Sequence, residues 1–141
     1  MPTLKKRSLK TTPRAPRSIK TTIDEEAKLR QSIYNSPTWH NLRDDRLMNH
    51  PFDEVALVAG VYVPADTVHH KDEWLNYRGG AMYSAAFSSD NLIALHHTTH
   101  NVYHAIMQNS GNPVNGQGPE EIYKILVDYC KRHDVPLPWQ R

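Results

Sequence analysis

The stretch DNLIALHHTTHNVYH, Asp90 to His104, decides the fold. Leu92 to Leu95 is a short apolar run between polar residues and reads as a buried strand. Thr98 or Thr99 can then cap a helix that carries His100, His104 and, further on, Met107. His100 and His104 stand at i and i+4, so they share one helix face. Upstream, PADTVHHK, Pro64 to Lys71, holds a second extended stretch, Ala65 to Lys71, with His69 and His70 near its end. Six of the nine histidines lie between His69 and His104, too tight a grouping for scattered surface residues. The local order is strand, loop, strand, helix, and an imidazole set is spread across it.

Imidazole is the commonest metal ligand and titrates near neutrality. His100 and His104 can bind one ion together, with His69 as a third ligand from the strand. Three protein ligands with open positions form the catalytic pattern of a metal site rather than the closed structural one. His70, left off the metal, can act as general base toward a water. Neighbouring strand residues point to opposite faces, so His69 and His70 serve one site only where the strand ends or twists. Asn91 can hydrogen-bond backbone across the loop and hold the base-bearing strand, or it can be a plain turn residue. His96 and His97 are either ligands or groups outside the metal's immediate shell, and this reading places them outside. Lys71 and Arg78 are candidate phosphate contacts.

Around this centre the chain divides into five parts. Residues 1–21, with three prolines and few apolar side chains, read as a disordered basic arm. Residues 22–50 read as two helices. The first opens on Thr22-Ile23-Asp24-Glu25 as a capping box. The second opens on Ser36-Pro37, buries a Trp39, Leu42, Leu47 stripe and stops at Pro51. Residues 51–108 are the core: a turn or short helix and a strand over 52–63, the extended stretch of His69 and His70, a long loop over 72–90, then the strand and helix. Residues 109–118 are a Gly/Asn/Pro linker. Residues 119–141 hold a last helix opened by Gly118-Pro119, with Glu120 and Glu121 suited to its N-terminal dipole and Lys131 and Arg132 to its C-terminal end. Ile122, Ile125, Leu126 and Tyr129 make its buried face.

The net charge of +2 hides an asymmetry. Lys5, Lys6, Arg7, Lys10, Arg14, Arg17 and Lys20 lie in the first 20 residues without one acid. Seven of the 17 basic residues are thus in the arm, leaving ten against 15 acids and a formal −5 for the rest. The arm fits a polyanion through counterion release, or serves only as a solubilising segment. No apolar run reaches membrane-spanning length, and residues 1–20 lack a signal-peptide core. Cys130, the single cysteine, excludes an intramolecular disulfide and a Cys-rich zinc site, which suits a reduced, cytoplasmic setting.

Taken together, these residues resemble the HNH nucleases of the ββα-metal fold. The resemblance spans roughly residues 33 to 108. Ile33-Tyr34-Asn35-Ser36 with Trp39, Leu42-Arg43 and His50-Pro51 is similar to the lead-in of small phage and bacterial members. Pro64 to His70 is similar to the family's first strand, and Asn91 to Leu95 to its second. The resemblance implies an α+β fold with a ββα-metal core and flanking helices, and a DNA endonuclease leaving 5′-phosphate and 3′-hydroxyl ends. It implies metal ligands His69, His100 and His104, His70 as general base and Asn91 as its positioning group. The opening His-His with a closing His-x-x-x-His is most similar to the colicin-type version. The implied cofactor is a divalent ion (Mg, Mn, Zn or Ni). The implied partners are DNA and, in a phage or mobile-element setting, a packaging or other protein. The aromatics of the 72–90 loop suit a DNA partner. Many phage-type members add a four-cysteine zinc ribbon. The matching positions here are Asp53, Ala56, His96 and Thr99, so apolar packing by Phe52, Val55, Leu57 and Val58 is expected in its place. Two rival classes remain: a catalytically degenerate DNA- or protein-binding module on the same scaffold, and a metal-stabilised structural protein.

Overall fold

The computed structural model describes residues 19–111 and 114–141, with side chains from residue 23 onward. Helix α1 spans Ile19–Tyr34 and α2 Pro37–Asn49. The helix is already running at Thr22, so Thr22 is not its cap and the expected arm ends sooner than residue 21. A capping box marks where a helix can begin, but the preceding Ile, Lys and Thr lie within about 0.7 kcal/mol of alanine and also propagate it. Helix α2 starts as its sequence dictates. Ser36 Oγ accepts the Trp39 amide at 3.2 Å and Pro37 occupies the first turn.

Helix α3, Glu54–Val58, follows. Residues 61–63 form no strand; the segment is held by the isolated bridge Phe52↔Pro64 and by the Val61 amide, which donates to the Ala56 carbonyl at 3.0 Å. Strand β1, Thr67–His70, pairs antiparallel with β2, Leu92–Leu95, with His69 opposite Ile93 and His70 opposite Leu92. The expected long loop over 72–90 is instead a compact connection. It contains a 3₁₀ turn, Trp74–Asn76, helix α4, Gly80–Ala86, and a second 3₁₀ turn, Ser89–Asn91. Gly79, at φ 56° and ψ −135°, sits in a region open essentially only to glycine, and it turns the chain into α4. Of the four aromatics in this segment Trp74 and Tyr77 are buried in the core, Phe87 is half-buried and Tyr83 is exposed.

Helix α5, His97–Ser110, is capped by His96, whose Nδ1 accepts the Thr98 amide at 3.2 Å. Neither Thr98 nor Thr99 is the cap, and Thr99 is buried. Gly111, at φ 72°, ends the helix in the left-handed conformation, so the linker starts after Ser110. Helix α6, Pro119–His133, buries Ile122, Leu126 and Cys130, with Ile125 and Tyr129 half-buried beside them.

The fold is therefore α+β, with many helices around a two-stranded antiparallel sheet. Two apolar clusters organise it. Val55, Ile93, Leu95, Tyr103, Ile106, Met107, Ile122 and Leu126 form one, joining β2, α3, α5 and α6. Ile33, Trp74, Leu75, Tyr77, Met82, Ala85 and Ala86 form the other, joining α1 to α4.

Acidic side chains fasten α3 to the strand–helix junction. Asp53, fully buried, accepts the Val55 and Ala56 amides through Oδ1, both at 2.9 Å, and the His96 amide through Oδ2 at 2.9 Å. Glu54 accepts the outward Ala94 amide of β2 and a forked contact from Arg46 of α2, at 2.8 and 2.9 Å. Phe52, Leu57 and Val58 are each about two-fifths exposed. The staple expected from apolar packing is thus mostly polar, with Val55 alone of the four buried. A short carboxylate can satisfy several orphan amides at once, which exposed apolar groups cannot.

Candidate metal centre

His69 and His70 occupy the last two positions of β1, and their side chains leave on opposite faces. Each face meets a different element. His69 points to α5, where its ring lies edge-on to Tyr103 at 5.6 Å, His104 at 5.1 Å and His100 at 5.4 Å between centroids. His70 points to α2 and α4. Its ring stacks on Trp39 at 4.8 Å and 23°, and its Nε2 lies 2.9 Å from the Ala86 carbonyl. Because the strand ends there, both residues still line one cleft of about 260 Å³, with Val68, His100, His104, Arg30, Tyr34 and Glu73. A larger cleft of about 390 Å³ between α5 and α6 lies away from all of them.

One nitrogen from each of His69, His100 and His104 falls within 4.8 Å of the others. His104 Nε2 and His69 Nδ1 are 3.3 Å apart. A tetrahedral ion with bonds of about 2.0–2.1 Å holds its nitrogens about 3.3 Å apart, so the spacing suits a bound cation. The nitrogens are also in the right protonation state to bind one. Burial, then His104, His100 and His70, hold His69 well below its ordinary value of 6.5. Burial, then His104, pushes His100 down to about 4, and burial lowers His104. Neutral imidazoles present lone pairs. An ion would offset the desolvation of this cluster, so the residues fit a metal.

His70 has a different environment. A carbonyl can only accept, so Nε2 carries the proton toward Ala86. Burial lowers the His70 pKa, against a smaller rise from that hydrogen bond, which keeps the ring neutral with its lone pair on Nδ1. Asn91 secures this arrangement from below. Its Oδ1 accepts the Asp72 amide at 2.9 Å, and its Nδ2 donates to the carbonyls of Asp72 at 3.1 Å and Ala85 at 3.0 Å. It thereby clamps the end of β1 to the residue next to Ala86.

His96 and His97 lie away from this cluster, at the far end of β1. With Asp66 they form a second group whose ligand atoms lie within 4.8 Å of one another. His97 Nδ1 is 2.6 Å from Asp66 Oδ2, and the His97 amide donates to Asp66 Oδ1 at 2.8 Å. Lys71 and Arg78 do not line the cleft. Lys5, Lys6, Arg7, Lys10, Arg14 and Arg17 fall outside the described residues, as does the side chain of Lys20.

Sequence reasoning missed Arg30, Tyr34 and Glu73 as cleft residues and Trp39 as the wall behind His70. Arg30 and Tyr34 are four apart and share a face of α1, which was a usable signal. Arg30 reaches over the Trp74 ring, its guanidinium 5.9 Å from the centroid, and its Nη2 is 3.9 Å from Glu73 Oε1. Comparison with known proteins found no match: no family model, no curated protein and no solved structure matches the chain.

Proposed function

We propose that this chain is a metal-dependent endonuclease of HNH type that hydrolyses DNA phosphodiester bonds. The observation that carries the reading is the division of labour among four imidazoles in one cleft. Three converge nitrogens on a common point, and the fourth is tied through Nε2 with Nδ1 left as a base. On this reading β1, β2 and α5 are the ββα-metal core. His69, His100 and His104 would hold a divalent ion, which when bound offsets charge on the phosphate. An all-imidazole set suits Zn or Ni better than Mg, which takes oxygen ligands. His70 would take a proton from water at Nδ1, with Nε2 held at the Ala86 carbonyl and Asn91 holding the strand end beside it. Among the described residues Arg30 is the one Lys or Arg that lines the cleft, and it would face the anionic diester. The basic arm would add sequence-independent affinity for the duplex.

A binding module on the same scaffold has no use for an imidazole held in one tautomer, which argues for chemistry. Nicking of supercoiled plasmid with and without chelator, beside His70→Ala, tests the proposal. Loss of a general base lowers turnover by about 10²–10⁴-fold. The variant should keep wild-type metal affinity by calorimetry. Equal nicking rates for the two proteins, or nicking indifferent to chelator, would sink the assignment.

A further inference from the structure

We infer that Trp39 is a positioning residue for His70, so that helix α2, outside the 51–108 segment that carries the four cleft histidines, is part of the working centre. This inference rests on the endonuclease reading for its catalytic consequence, though not for its geometry.

A histidine ring turns about a broad, roughly two-fold torsion. One hydrogen bond at Nε2 fixes a point on the ring but leaves the plane free to pivot about it. The second constraint is the Trp39 indole. It is 6% exposed and lies against the His70 ring at 4.8 Å with planes 23° apart. With Nε2 held at Ala86 and the plane held by Trp39, Nδ1 has a single direction.

Trp39 is itself held by Ser36 and Tyr34. Ser36, the cap of α2, takes the Trp39 amide, so the residue has a set place in the first turn. The same hydroxyl donates to the Ile33 carbonyl at 2.7 Å, locking α1 to α2. Tyr34 meets the indole edge-on at 5.3 Å, and its hydroxyl accepts the Trp74 indole N–H at 3.1 Å. The Ser36-Pro37 helix start therefore does more than begin a helix: it sets the wall against which the base stands. None of these contacts involves His69, His100 or His104, so the wall can be altered while the ligand cluster is left intact.

Trp39→Leu keeps an apolar group but removes the flat face. Trp39→Phe keeps a flat face. Misplacement of a reacting group by about 1 Å costs about 10²-fold in rate. Trp39→Leu should thus lower kcat for plasmid nicking by about 10–100-fold, with KM and metal affinity within about twofold of wild type. Trp39→Phe should restore most of the loss. Carbon- and nitrogen-resolved NMR of the full chain supplies a readout independent of activity. The His70 ring protons should be shifted upfield by the indole, with the proton on Nε2, in wild type and Trp39→Phe but not in Trp39→Leu. If Trp39→Leu fails to fold by circular dichroism, Trp39→Met takes its place in every comparison. Unchanged kcat in the folded non-aromatic variant, or His70 signals indifferent to the substitution, would overturn the inference. A wild type that does not nick DNA would refute the endonuclease reading, and the NMR comparison would then decide the positioning claim alone.

Discussion

Removing the Asp53 carboxylate should unfasten the junction that presents the helix carrying His100 and His104. Three amides depend on it: Val55 and Ala56 on Oδ1, His96 on Oδ2, all at 2.9 Å. Hydrogen bonds to a charged group contribute about 1.5–3 kcal/mol each, and a buried donor left without a partner costs about 1–3 kcal/mol. Three such losses in Asp53→Ala would reach at least about 4.5 kcal/mol if all were full. His96 is only half-buried, so its share is smaller and a loss of about 4 kcal/mol is expected. Asp53→Asn can keep the two bonds on Oδ1 but sets an amide N–H₂ against the His96 N–H. Its loss should be about 2 kcal/mol. Against a domain stability of about 5–15 kcal/mol these are large changes. Urea titrations at 25 °C should show midpoints ordered wild type, Asp53→Asn, Asp53→Ala, with the slope m unchanged. A loss under about 1 kcal/mol for Asp53→Ala would refute the claim that this carboxylate is the staple. Equal losses for the two variants would refute the division of bonds between its oxygens.

Either His100→Ala or His104→Ala should weaken binding of zinc or nickel by at least about tenfold in calorimetry; unaltered affinity in both would move the site to the Asp66, His96, His97 group. Metal-free protein should lose stability as pH falls. His69, His70, His100 and His104 are held below 6.5 in the fold, so the unfolded chain binds more protons and stability rises with pH. That contribution is complete above 6.5 and is lost on descending toward the His100 value of about 4. Thermal melts between these limits should show a falling midpoint, and a flat or rising one would contradict the burial argument. Deleting residues 1–20 removes seven positive charges, so DNA affinity should drop. The log–log salt slope should flatten by about 0.9 for each phosphate that the arm neutralises in the full chain. Identical slopes would leave the arm a solubilising segment.

Local chemistry in the sequence was enough for several elements. Ser36-Pro37 determined where α2 begins, and Gly118-Pro119 with the apolar stripe Ile122, Ile125, Leu126 determined α6, because caps and periodicity act within one or two turns. The i, i+4 spacing of His100 and His104 also ensured a shared face wherever α5 packs. What the sequence could not decide was everything that depends on residues distant in the chain. Short apolar runs interrupted by glycine carry no usable period, so α4 and the core placement of Trp74 and Tyr77 were invisible within residues 72–90. The same holds for Asp53, whose third partner is 43 residues away, and for Trp39, which meets His70 only because α2 packs against the end of β1. Adjacent histidines on a strand must diverge. Only the packing of α5 on one face, and of α2 and α4 on the other, brings His69 and His70 back to the rim of one cleft, because the strand ends there and both faces open on the same side.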